Sequence, residues 1–121
     1  MVEALFDTNI VIDQLNAVPE ARAEIAMHDS KAISIITWME VMVGADEAVE
    51  ERTRRFLKRF EVIPLDDEIA KRAVALRRYH RIKLPDAVIW ATALNTKRLL
   101  VTRNTKDFPT GNPGIRVPYI I

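Results

Sequence analysis

Three acids stand at widely separated points of the chain, each beside the start of a helical pattern. Asp7 follows an apolar run in "LFDTNIVID". Glu40 lies in "TWMEVMVGA", a few residues past the β-branched run "KAISII". Asp86 comes directly after Pro85 in "LPDAVIWATAL". Carboxylates gathered in one place repel one another, and their pKa values rise unless a cation joins them. Gathered carboxylates without Cys or His ligands select a hard ion. Mg²⁺ takes oxygen ligands and keeps several waters, and Mn²⁺ suits the same donors. One such ion, or two roughly 4 Å apart, activates water and stabilises the charge on a phosphodiester under attack. An acid is needed because a neutral amide cannot balance the ion's charge.

Each acid also has a plainer reading. Asp7 can cap a helix that begins at Thr8. "TWME" fits a capping box, with Thr37 as the cap and Glu40 in the first helical turn reaching back to it. Asp86 can complement a helix dipole. Capping explains each acid separately and says nothing about convergence, so the elements that carry them decide the matter.

Strand patterns fall at 2–6, 31–36, 61–65, 98–102 and 115–120, the last following a Pro- and Gly-rich loop. Helical spacing covers 8–16, 19–29, 66–82 and 85–97, with Pro85 opening the last of these. Residues 37–60 read as one broken helix or two, with Gly44 at the break. Strands alternating with helices predict a parallel sheet covered on both faces. Sites in such sheets form outside the carboxyl ends of the strands. Asp7 and Glu40 are expected at that edge, and Asp86 joins them if its helix starts there. Nearly every residue after Asp86 in "DAVIWATAL" is apolar or small, which predicts a helix buried on several sides.

At 121 residues, 49% apolar and 29% charged, the chain reads as one domain over 1–121. It contains no cysteine, which excludes disulfides, zinc–thiolate sites and cysteine nucleophiles and fits a reducing compartment such as the cytoplasm. "MVEALFDTN" lacks the basic start of a secretory signal, and no apolar run is long enough to span a bilayer, so no membrane partner is expected. The three glycines form no phosphate-cradling loop, two of them lying in the tail. Asn9 stands where an aspartyl-phosphate phosphatase wants a second acid, which argues against that chemistry. His28 and His80 are too scattered for a metal cluster and read as surface residues, as does Asp13. The basic blocks "RTRRFLKR" and "RRYHRIK" suit a polyanion such as RNA, or are solvated helix faces. The succession from Trp38 to Val43 is too apolar for one sheet face to bury. It meets a second subunit, a partner segment or more of its own domain.

"FDTNIVID", "ISIITWMEVMVGA", "LPDAVIWATAL" and "LLVTRNTKDF", in this order and spacing, resemble the PIN-domain family, and within it the VapC-type toxins of bacterial and archaeal toxin–antitoxin pairs. The resemblance implies a single PIN-like α/β domain, with a central parallel sheet flanked by helices on both faces. It implies Mg²⁺- or Mn²⁺-dependent endoribonuclease activity, homodimers, and a cognate VapB-type antitoxin that blocks the site. By the family pattern Asp7, Glu40 and Asp86 bind metal, Thr8 and Asn9 help to position the first acid, and Thr102 lies near the site. Arg54, Arg55, Arg78 and Arg103 are the candidates for holding the RNA backbone. One departure stands out. Many relatives carry a fourth acid directly after "TR", where this chain has Asn104. An amide offers a carbonyl oxygen without charge. Asp107, three residues on, supplies the missing charge or is simply a turn residue. The alternative function is a non-catalytic, dimeric partner-binding module of the same fold, its acids reduced to caps.

Overall fold

The computed structural model describes residues 3–121, so Val2 of the first expected strand lies outside the described residues. Strand β1 (Ala4–Phe6) leads into helices α1 (Thr8–Leu15) and α2 (Pro19–Ala26). Strand β2 (Lys31–Ser34) leads into α3 (Ile35–Gly44) and α4 (Glu50–Leu57). Strand β3 (Glu61–Ile63) leads into α5 (Asp67–His80) and α6 (Leu84–Asn95). Strands β4 (Leu99–Val101) and β5 (Ile115–Arg116) close the chain. All pairings are parallel and the sheet order is β3-β2-β1-β4-β5. The expected α/β architecture is therefore what the chain adopts.

The order follows from the side chains of the central strands, which are buried on both faces. Leu5 of β1 packs with α5 and α6, while its neighbours Ala4 and Phe6 pack on the other side with α1 to α4. Period-two alternation in a strand that is apolar throughout requires two covering layers. Helix α6 lies deepest: Ala87 to Ala93 are all buried. Among the described residues no helix is long and apolar enough to cross a membrane.

Several element boundaries differ from the sequence expectation for local reasons. Strand β2 stops at Ser34, not Ile36, because the Ser34 hydroxyl accepts a hydrogen bond from the Ile36 N–H (3.0 Å) and caps α3. A side-chain cap here overrides the strand preference of a β-branched run. The capping box on Thr37 is therefore not formed: Thr37 is buried inside the helix, and Glu40 falls in its second turn, not its first. Pro64 follows β3 and cannot donate to a ladder, which ends that strand short of Leu65. Helix α6 starts one residue early, at Leu84, with Pro85 second. Strand β5 is two residues long and lies at the sheet edge. The chain breaks into two helices after Gly44, as one of the two readings had it.

Neither histidine is a free surface residue. His28 Nε2 lies 2.9 Å from Glu24, itself 5% exposed and bidentate to Arg116. The His80 ring is half-buried against Trp90.

Candidate active site

Strand β1 is the point where the winding of the sheet reverses. Its own crossover runs to β2, while β4 pairs on its other edge and continues to β5. A crevice opens outside the carboxyl ends of β1 and β4 at such a point. Asp7 and Thr102 are the first residues past those two ends. The Asp7 N–H donates to the Val101 carbonyl (2.9 Å), and Thr102 N–H donates to the Arg116 carbonyl (3.0 Å), so both residues are held by the sheet.

Asp7 does cap α1, accepting from the Thr8 N–H at 2.8 Å through Oδ1. Capping does not exhaust it. Its Oδ2 accepts from the Thr102 hydroxyl at 2.7 Å and from Asn9 Nδ2 at 3.3 Å. Only 3% of Asp7 is exposed. Burial pushes its carboxyl up to about 6. The hydrogen bonds from Thr102 and Thr8 oppose the rise, and the charges of Asp86 and Glu40 add to it.

Glu40 comes to the same place from α3. It is exposed, and its Oε1 accepts from the Thr8 hydroxyl at 2.7 Å. Thr8 Oγ1 also lies 3.0 Å from that of buried Thr37, so a short hydroxyl chain ties the start of α1 to α3. Asp86 occupies the first turn of α6. Its carboxyl is raised first by burial, then by the charges of Asp107 and Glu40, against a lowering from Lys83. Asp7 therefore feels the charges of both Asp86 and Glu40, and Asp86 feels that of Glu40. This is the mutual repulsion expected of carboxylates brought to one sheet edge.

As the side chains stand, no group of three or more acids or histidines among the described residues closes on a common point to hold a metal ion. The acids converge as a neighbourhood, not as a finished coordination cage. The chemistry of the donors still fits a hard divalent ion: oxygen atoms only, excess negative charge, and no histidine among the groups that raise Asp7 or Asp86.

Asn104 does not offer its carbonyl oxygen to the site. That oxygen accepts from the N–H groups of Lys106 (3.2 Å) and Asp107 (3.1 Å), which folds the loop after β4 into a turn. Its amide donates to Asp107 Oδ2 at 3.0 Å. Asn104 thus builds the turn and holds the carboxylate of Asp107, whose charge reaches Asp86.

One expectation from the sequence does not hold here. Asp13 is not solvent-facing: it is 4% exposed and receives Arg103 bidentately, Nε to Oδ2 at 2.6 Å and Nη2 to Oδ1 at 3.0 Å. The Tyr119 hydroxyl donates to the same carboxylate at 2.8 Å. Arg103, a candidate for holding the RNA backbone, has Nε and Nη2 engaged by this carboxylate. Its backbone N–H also donates to Asn9 Oδ1 (3.3 Å), so the Asp13 clamp holds the loop next to Thr102. No local pattern signals this network, because Asp13 lies 90 positions from Arg103 and 106 from Tyr119. Of the other basic candidates, Arg54 pairs with Glu50 at 3.1 Å and lies over the Trp38 ring. Arg55 is exposed, with Glu51 3.6 Å away. Arg78 is exposed on α5.

A family model described as the PIN domain matches residues 4–110. The chain is similar to a protein named Ribonuclease VapC10 from Mycobacterium tuberculosis (strain CDC 1551 / Oshkosh). The two are 35% identical over 113 residues, covering 87% of this chain and 85% of the relative. Among solved structures it is similar to one described as a toxin–antitoxin complex from Klebsiella pneumoniae. There the TM-score is 0.92 at 50% identity, over 98% of this chain and 100% of the other. It is also similar to a DNA-bound VapBC from Salmonella typhimurium, with TM-score 0.77 and 26% identity over 95% of this chain and 97% of that one.

Proposed function

Because the chain belongs to the PIN domain family, which its residues 4–110 match, we propose that it is the ribonuclease toxin of a toxin–antitoxin pair: an endonuclease that hydrolyses RNA phosphodiesters with Mg²⁺ or Mn²⁺. Residues 1–121 act as one nuclease domain, in the cytoplasm. The observation that carries the reading is the buried, charge-strained Asp7 at the β1–β4 crevice, with Glu40 joined to it through Thr8 and Asp86 beside it. The ribonuclease relative and the Klebsiella complex support RNA as the substrate and a VapB-type antitoxin as the partner.

Asp7, Glu40 and Asp86 would hold the ion, and Asp107 the far side of the site. A bound ion supplies positive charge for the phosphate under attack and acidifies water. The chain's own work is positioning. Thr102 and Thr8 fix both oxygens of Asp7, so its geometry is set before substrate arrives. Glu40, the most exposed of the three, is placed to orient an incoming water. The Asn104 turn presents Asp107 in place of the acid that many relatives carry at 104.

Metal titration tests this directly. An ion bound only by the folded state at about ten times its Kd stabilises by about 1.4 kcal/mol. Mn²⁺ should therefore raise the melting temperature by a few degrees and switch on cleavage of an RNA substrate together. Asp107→Asn should shift both midpoints to higher metal concentration. The second reading is a partner-binding module without catalysis, and the amide of Asn104 where many relatives carry an acid favours it. No thermal response to millimolar Mn²⁺ and no cleavage would establish that module instead.

The homodimer rests on α3, where Val41 is buried and Trp38 and Met42 pack on the core, while Met39 and Val43 stay 49% and 87% exposed. Light scattering after size exclusion should give twice the chain mass. Val43→Glu should give the single-chain mass, and a wild-type monomer at micromolar concentration removes the dimer.

A further inference from the structure

Beside the carboxylates a groove of about 820 Å³ runs between α1, α3 and α4, and Glu40 is part of its wall. Its floor is apolar, with Leu15, Val41 and Phe56 among the lining residues. One side carries Arg52 and Arg55 of α4 and Arg59 just past its end, and all three are exposed. Spacings of three and four residues put Arg52, Arg55 and Arg59 on one stripe. Arg54, singled out by the sequence, is not part of it: its guanidinium turns to Glu50 and the Trp38 ring. Glu40 is the one acid among the described residues lining the groove, and Glu51, outside the lining, stands 3.6 Å from the exposed Arg55, so the side away from the catalytic edge carries a net positive charge through Arg52 and Arg59 with Arg55 shared.

We propose that this groove is the path of single-stranded RNA leading to the cut site, with Arg52, Arg55 and Arg59 holding successive phosphates and the apolar floor receiving bases. The proposal rests on the nuclease reading and adds where the substrate lies. Three features carry it. The groove contains Glu40, so a strand with its scissile phosphate at the acids continues into the groove. The arginine stripe complements a polyanion along its length. The floor is apolar with one aromatic ring, Phe56, beneath the Arg59 guanidinium at 5.7 Å, a surface that suits unpaired bases. An acidic protein segment would match the charge too, but continuity with Glu40 favours the nucleic acid.

The test measures binding, not cutting, so it is independent of turnover. In the Asp7→Asn background, Kd for an unstructured RNA of about twelve nucleotides is measured across salt. The same is done with Arg52→Gln, Arg55→Gln and Arg59→Gln added together, and with the matching triple Lys variant. Each phosphate contact on a single strand contributes a salt slope of about 0.7. The Gln variant should therefore lose about 2 from the slope, and the Lys variant should keep it. Between about 50 and 200 mM salt the arginine-bearing protein should lose about 20-fold more affinity than the Gln variant. An unchanged slope in the Gln variant overturns the groove assignment. So does a Gln variant that binds RNA normally but no longer binds an acidic partner peptide. A slope lost in the Gln variant, together with a chain of unchanged sequence that never cleaves RNA, keeps the groove and sinks the nuclease reading.

Discussion

Asp7→Asn should abolish RNA cleavage and at the same time make the metal-free protein more stable at pH 8. The first effect follows from its place. Residues that merely support a metal ligand cost about 10- to 100-fold when removed, so loss of the most buried acid of the set should exceed 100-fold. The second follows from linkage. Burial raises the folded-state pKa of Asp7 from 3.8 to about 6. A raised carboxyl favours the protonated form of the folded protein, so its contribution is fully present below pH 3.8 and is lost as pH rises through about 6. That loss is at most about 3 kcal/mol, and an uncharged side chain does not suffer it. Against this, the Asn amide must sit among the donors Thr102 and Asn9, at a cost of about 1 kcal/mol. Thermal melts in chelator should show the variant several degrees above wild type at pH 8 and no higher than wild type at pH 4. Added Mn²⁺ should reverse the order at pH 8, because only wild type gains the ion. A variant that melts below wild type in chelator at pH 8, or that still cuts RNA at the wild-type rate, removes Asp7 from the role given to it.

The opposing roles of Asp7 also show how much the sequence could say. That Asp7 caps a helix and that it joins other acids were both readable, because one depends on its neighbours and the other on the alternation of elements. The sheet-edge placement of Glu40 was legible for the same reason, although the failure of the capping box was not: Ser34, three residues before Thr37, took the cap and moved Glu40 into the second turn. Asn104 looked like a missing ligand. It is the frame of a turn, which appears only when the directions of its amide and carbonyl are known. The part least legible was the burial of Asp13. A polar residue on a short helix reads as solvated unless its partners are visible, and those partners arrive from the loop after β4 and from the tail after β5. Long-range pairing of charged groups leaves no periodicity behind.

That same pairing leads to the second large effect. Asp13→Ala leaves Arg103 without its bidentate partner and Tyr119 without its acceptor; breaking a fully buried ion pair from one side costs about 3–5 kcal/mol, and the 34% exposure of the Arg103 side chain brings the cost here down to about 2 kcal/mol. Tyr119→Phe removes one hydrogen bond and should cost about 1 kcal/mol. The pH signature differs in sign from that of Asp7. Arg103 holds the Asp13 carboxyl below its ordinary value. Its stabilisation is therefore present above the unfolded pKa of 3.8 and is lost as pH falls through the lower folded value. Glu24 behaves alike through Arg116. Metal-free wild type should be most stable on the acid side of neutrality, where Asp13 and Glu24 are charged and Asp7 is still protonated. Asp13→Ala should melt lower throughout that range and lose part of the acid limb. The clamp also reaches the site, because Arg103 is the residue after Thr102 and bonds Asn9 through its backbone. Cleavage by Asp13→Ala, assayed well below its melting temperature, should fall by about 10- to 100-fold with the metal requirement raised. Asp13→Ala that folds, melts several degrees lower and cleaves at full rate would confine the clamp to stability and leave Thr102 held by the sheet alone.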